Sequence, residues 1–274
     1  MLPVEPEQAE SQHGKEMLGK PDNSRVSRVV AVMSGKGGVG KSSVSALLAT
    51  GLARRGVKVA LLDADVTGPS IPGLFGMQCD SAALEGQVLP QTTGLGIRVM
   101  SLNLLLDRED VPEIWRGSLI AGAVKRFWTD VVWGKVDYVV IDLPPGTGDV
   151  SLTVLQSLPV DGVVIVTTPH DLSKMVVRKS LNVVRVLNVP ILGMIQNMVW
   201  IQCPHCGDRI EPFGHDSATE AAAEMGLELL GILPIDPQIP EMGEKGMIED
   251  CHTEISESLV ALIQSKVPLA NKCE

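Results

Sequence analysis

The residues best suited to chemistry begin with Gly35-Lys36-Gly37-Gly38-Val39-Gly40-Lys41-Ser42, which fits G-x-x-x-x-G-K-[ST]. Glycines let a backbone curl around a phosphate chain, and a helix N-terminus behind the loop adds positive potential. Lys41 is the expected partner of the β- and γ-phosphates and Ser42 a ligand of Mg²⁺, with Ser43 closing the phosphate-binding run. Carboxylates come next. Tyr138-Val139-Val140-Ile141-Asp142 is an apolar run ending in an acid, the Walker B pattern, whose carboxylate holds Mg²⁺ through water. Leu61-Leu62-Asp63-Ala64-Asp65 likewise closes an apolar run with acids. Finally, Cys203-Pro204-His205-Cys206-Gly207 carries a C-x-x-C pair whose thiolates can meet one metal.

A closed zinc site or a cubane cluster needs four ligands, and the chain has no second C-x-x-C. Two copies about a two-fold axis supply the missing pair. Spacing alone leaves a zinc staple, a redox dithiol and an incidental pair open. Cys79, Cys251 and Cys273 are isolated, and an odd total of 5 cysteines argues against a disulfide framework.

These residues need elements to hold them. Val29 to Met33 is a short, fully apolar strand directly before the glycine loop, and Ser42 to Arg55 has helical spacing at Val44, Leu47, Leu48 and Leu52. The alternation continues. Strands are expected at 57–62, 97–102, 138–142, 162–168, 191–196 and 229–233, and helices at 119–132, 172–187, 218–225 and 255–264. Such a pattern predicts an α/β fold, a mostly parallel central sheet with helices on both faces, and ligands along one sheet edge. Residues 1–26 read as a flexible tail, 27–265 as one domain, and 266–274 as a second tail. The stretch 78–96 suggests a small hairpin, and 198–215 interrupts the rhythm as a loop bearing the cysteines.

A net charge of -10 argues against a nucleic-acid partner, which phosphate contacts would require to be basic. No apolar run is long enough to span a bilayer, and the polar N-terminus lacks a secretory h-region, so the expectation is a cytoplasmic protein without a membrane partner.

In order along the chain stand S-G-K-G-G-V-G-K-S (34–42), D-A-D-V-T-G-P-S (63–70), W-R-G (115–117), D-L-P-P-G-T-G-D (142–149) and C-P-H-C-G (203–207). Together they resemble the Mrp/ApbC family of iron–sulfur cluster carrier ATPases, over about residues 27–265. The resemblance implies a P-loop ATPase of the deviant Walker A type. It implies a homodimer that binds and slowly hydrolyses ATP, holds a labile [4Fe–4S] cluster on Cys203 and Cys206, and delivers it to apoproteins. Lys36 is then the second lysine, reaching the partner's nucleotide. Asp65 helps orient the attacking water, and Asp63 lies nearer the Mg²⁺ sphere. Asp142 is the Walker B carboxylate and Pro144 to Asp149 the switch II after it, Asn197 reads adenine through its amide, and Pro234 lines the base pocket. Departures fall at Ser118, where family members commonly have proline, and at His170, where glutamine is usual. The competing readings are a MinD- or ParA-like organiser and a dimeric regulatory ATPase with zinc at the same cysteines. A MinD-like chain should end in a basic amphipathic helix, whereas residues 254–274 are acidic to neutral and contain Pro268.

Overall fold

The computed structural model describes residues 18, 24–65, 68, 70–77, 83–84, 87–101, 117–169, 174–214, 218–251 and 254–269. Trp115, Arg116 and His170, and most of both expected tails, lie outside the described residues. An eight-stranded sheet forms the centre, in the order β12-β9-β8-β1-β7-β2-β6-β5. Its strands are β1 (Arg25–Ser34), β2 (Val59–Asp63), β5 (Gln91–Thr92), β6 (Arg98–Ser101), β7 (Lys135–Asp142), β8 (Gly162–Thr167), β9 (Ile191–Gln196) and β12 (Leu229–Ile232). Every pairing is parallel except that of β5 with β6 at one edge. Two small hairpins stand apart, β3 (Ala83–Leu84) with β4 (Gln87–Val88) and β10 (Ile201–Gln202) with β11 (Arg209–Ile210).

The period-2 alternation of strand side chains divides the core into two layers. Val29, Ala31 and Met33 of β1, with Val139 and Ile141 of β7, face one side. There they meet Phe127 and Trp128 of α3 (Gly117–Thr129), Val154 and Leu155 of α4 (Asp149–Ser157), and Val177 and Leu181 of α5 (Lys174–Val186). Ala222 of α6 (Ala218–Glu224) completes that layer. Val30, Val32 and Val140 face the other side, against Val44, Leu48 and Leu52 of α1 (Lys41–Arg54) and Leu259, Val260 and Ile263 of α8 (Glu254–Lys266). Short helices α2 (Ile71–Leu74) and α7 (Gln238–Glu244) sit beside α1, around Ala46, Leu47, Ile248 and Cys251. Burial on both faces is why the central strands read as unbroken Val/Ile/Leu runs.

The expected sheet edge follows: β1, β2, β7 and β9 end together, so the loops after them share one side. Some boundaries moved. β1 starts at Arg25 and Val26 is fully buried, which places the domain's start within the expected tail. Leu18 also packs on the core and donates its N–H to Ser157 O at 2.9 Å. At the other end Lys266 closes α8 and the carbonyl of buried Val267 accepts from Tyr138 Oη at 2.5 Å. Helices α4 and α7 were not anticipated. Val150, Thr153 and Val154 give α4 a β-branched, strand-like composition, and packing against α3 overrides it.

Candidate functional site: a phosphate loop and a cysteine turn

The glycine loop joins β1 to α1. Gly38 and Gly40 both have φ of 78°, a left-handed geometry that side chains disfavour. Gly40 has a second reason to lack a side chain: a Cβ there would lie 2.3 Å from Asn197 Nδ2. Ser34 Oγ donates to Lys36 O at 2.9 Å, and Gly146 N donates to Ser34 O at 2.8 Å. The phosphate loop and the Pro144–Asp149 loop are thus tied together at the strand end. Between them opens a cleft of about 240 Å³ lined by Lys36, Lys41, Ser42, Asp65, Ser70 and Pro145, among others. It also takes in Gly37, Gly38, Val39, Gly40 and Ser43, with Lys36 exposed at the rim and Gly35 buried behind.

Asp142 lies beneath the cleft, fully buried. Lys41 Nζ is 2.7 Å from its Oδ1, Ser45 Oγ donates to the same oxygen at 2.7 Å, and Ser42 Oγ donates to Oδ2 at 2.6 Å. Lysine and serine are therefore held on one carboxylate. Phosphate oxygens can draw the ammonium away, because a phosphate carries the stronger local charge at the loop's mouth. Ser42, which lines the cleft, and Asp142, directly beneath it, form an all-oxygen donor pair that suits a hard cation such as Mg²⁺.

Asp63 is paired with Asp142 in the β2–β7 register and is equally buried. Its Oδ1 accepts from Asp65 N at 3.0 Å and its Oδ2 from Ile71 N at 3.2 Å. Desolvation, and then the nearby Asp142 charge, push its carboxyl up to about 7. Asp63 thus organises the backbone that carries Asp65, while Asp65 Oδ1 accepts from Gly68 N at 3.2 Å.

A second, largely apolar cavity of about 290 Å³ adjoins the loop behind Gly40 and Ser43. Asn197, Met198, Pro234, Ile235 and Ile239 contribute to its walls. Its dimensions and composition suit a flat apolar ring such as a nucleobase. Asn197 Nδ2 donates to Val39 O at 2.9 Å, so in this state its amide nitrogen braces the phosphate loop.

The cysteines lie elsewhere, in the turn between β10 and β11. Cys203 N donates to Asp208 O at 2.8 Å and Gly207 N to Cys203 O at 2.9 Å, closing a tight turn. The backbone N–H groups of Cys206 and then His205, with the Cys206 side chain after them, donate to the Cys203 sulfur and lower its pKa. Such N–H···S contacts favour the thiolate, the form that binds metal. Cys206 and His205 are exposed, and Cys206 Sγ contacts Asp208 Oδ2 at 3.2 Å. Among the described residues no group of three or more His, Cys, Asp or Glu is gathered to hold a metal ion.

Residues 25–267 match the NUBPL iron-transfer P-loop NTPase (ParA) family. The chain belongs to that family. An iron–sulfur cluster carrier protein of Methanocaldococcus jannaschii is 42% identical over 89% of this chain and 86% of its own length. Another, of Clostridium perfringens, is 43% identical over 82% of each chain. A nucleotide-binding protein from Archaeoglobus fulgidus, solved in complex with ADP, superposes with a TM-score of 0.75 at 42% identity, covering 85% of this chain and 91% of that one. The MinD ATPase of Pyrococcus furiosus shares the fold, with a TM-score of 0.65 at 22% identity over 87% and 99% of the two chains.

For an iron-transfer P-loop NTPase the distribution of the expected residues is informative. The structure brings Lys36, Lys41, Ser42, Ser43 and Asp65 to one cleft, with Asp63 and Asp142 beneath it. Asn197 and Pro234 line the adjoining cavity, and Cys203 and Cys206 stand apart from both. Sequence reasoning missed Ser45 and Met198. The signal for Ser45 was its place one helical turn from Lys41, whose carbonyl it also bonds at 3.0 Å. Met198 gave none, since its importance lies in a backbone angle.

Proposed function

We propose that this chain is an ATP-dependent carrier in which two copies hold a labile [4Fe–4S] cluster between their Cys203 and Cys206 pairs and pass it to apoproteins. The observation that carries the reading is an accessible, thiolate-favouring C-x-x-C turn mounted on a P-loop body. One copy offers two thiolates and a cubane takes four, which a two-fold dimer provides. The 42–43% identical relatives named as cluster carriers support the same assignment.

In this reading ATP is the substrate of the cleft. Gly35–Ser43 wrap its phosphates, Lys41 leaves Asp142 for the β- and γ-oxygens, and Lys36 serves the nucleotide of the second copy as a cation in trans. Asp65 orients the attacking water. Ser42 and Asp142 would hold Mg²⁺, which would supply neutralisation of the phosphate charge. Asp63 contributes by fixing the backbone of Asp65. Asn197 and Pro234 seat the adenine. Residues 25–267, from the start of β1 to buried Val267, act as one domain. No helix among the described residues is long and apolar enough to cross a membrane.

Anaerobic reconstitution with iron and sulfide tests this reading, with metal and sulfide assayed per protein. About four iron and four sulfide per dimer are expected, lost in a Cys203→Ala/Cys206→Ala variant. Tight zinc with no cluster formation would replace the carrier with an ATPase stapled by zinc at the same cysteines.

A further inference from the structure

One short segment connects the base-sized cavity to the cysteine turn. It starts at Asn197, which is pinned to the phosphate loop through Val39 O. The next residue, Met198, has φ of 60°, a left-handed conformation that a side-chain-bearing residue adopts only where its surroundings impose it. Met198 also lines the cavity, together with Val44 and Leu47 of α1. Beyond it the backbone is laced to another wall of the same cavity. Val199 N donates to Leu233 O at 3.0 Å, and Ile235 N donates to Trp200 O at 2.6 Å. Strand β10 follows at once, and Cys203 comes directly after it. The returning strand is fastened back as well, because the Arg209 guanidinium lies 5.2 Å from the centre of the Trp200 ring.

We infer that Met198 is the hinge of a backbone relay through which occupancy of the cavity sets the conformation of the Cys203–Cys206 turn. A ring entering the cavity presses on Met198 and Ile235, and both are bonded into the segment that carries β10. A left-handed methionine has lower-energy backbone alternatives nearby, so the segment has two discrete arrangements for a ligand to select between. Coupling of this kind requires differential contacts in the two states, and the cavity wall supplies them. The relay deepens the carrier reading by giving nucleotide a route to the cargo site, while its geometry stands without any cluster.

Amide hydrogen exchange on the metal-free protein, with and without saturating Mg-ADP, tests it. The peptide covering the phosphate loop reports occupancy in every sample. In the wild type Mg-ADP should slow exchange across 199–207 by about fivefold or more, the lower end of ordinary allosteric coupling. Met198→Gly, which takes φ of 60° freely and has many other conformations, should lose that response at the turn even with Mg-ADP raised until its phosphate-loop peptide is fully protected. Met198→Leu, which keeps both the constraint and an apolar side chain on the cavity wall, should retain it. A wild-type turn indifferent to Mg-ADP, with a responding phosphate loop, would overturn the relay. A full turn response in Met198→Gly, or its loss in both variants, would overturn the hinge. Because no cluster is present, these outcomes are separate from those of the iron and sulfide assay.

Discussion

Asp142 accepts from Lys41, Ser42 and Ser45 while shielded from solvent. Removing one partner of a buried ion pair leaves the other charge uncompensated, which costs about 3–5 kcal/mol. Asp142→Ala should therefore lower unfolding stability by that order in urea titrations and abolish ATP hydrolysis; a loss below about 1 kcal/mol would mean that Lys41 is solvated after all. Asp63 behaves differently. Its folded-state pKa is raised from 3.8 to about 7, so the folded protein binds the extra proton. The stabilisation is complete below pH 4 and is lost as pH rises toward 7, which sets the sign opposite to that of a salt-bridged carboxylate. In metal-free protein the stability of Asp63→Asn, followed by denaturant titration from pH 4 to 7, should fall less steeply than the wild type's. Parallel profiles would contradict the assignment.

At the scale of elements, most of the sheet was legible because doubly buried strands leave unbroken apolar runs between glycine-rich loops. The phosphate loop was legible for the same reason that it works: its glycines are required by backbone angle, as at Gly38, or by close approach, as at Gly40. The partners of the polar side chains were not legible. Nothing in the sequence shows that Asn197 holds Val39 O, or that Asp63 collects the N–H groups of Asp65 and Ile71. Those contacts depend on which strand ends become neighbours. The glycine contact between the loops after α2 and α7 was equally hidden: a Cβ on Gly246 would lie 2.3 Å from Gly76 Cα. Gly246→Ala must separate the two loops and also strain a φ of 70°. It should cost about 1–3 kcal/mol of stability by overpacking. Because α7 lines the base cavity, nucleotide affinity should weaken as well, read by calorimetric titration with ADP; an unchanged melting temperature and affinity would show that this packing is dispensable.

The whole molecule sets two candidate sites on one sheet. The proposed nucleotide cleft lies where β1, β2 and β7 end, and the cysteine pair projects on a separate hairpin after β9. The C-x-x-C was legible as a close pair of thiols, whereas its seat on a small hairpin was not, since that depends on the pairing of β10 with β11. Carriage requires that the cargo be held loosely enough to leave, and a pair on an exposed turn meets that need better than a buried four-ligand cage. The most direct test of the central claim is transfer itself. Reconstituted protein, freed of loose iron and sulfide, is mixed anaerobically with an apo-enzyme whose activity depends on a [4Fe–4S] cluster, and activity is followed over time. Wild type should restore activity faster than equal amounts of free iron and sulfide, and Cys203→Ala/Cys206→Ala protein should not. Equal restoration by the double variant, or none by the loaded wild type, would contradict that claim.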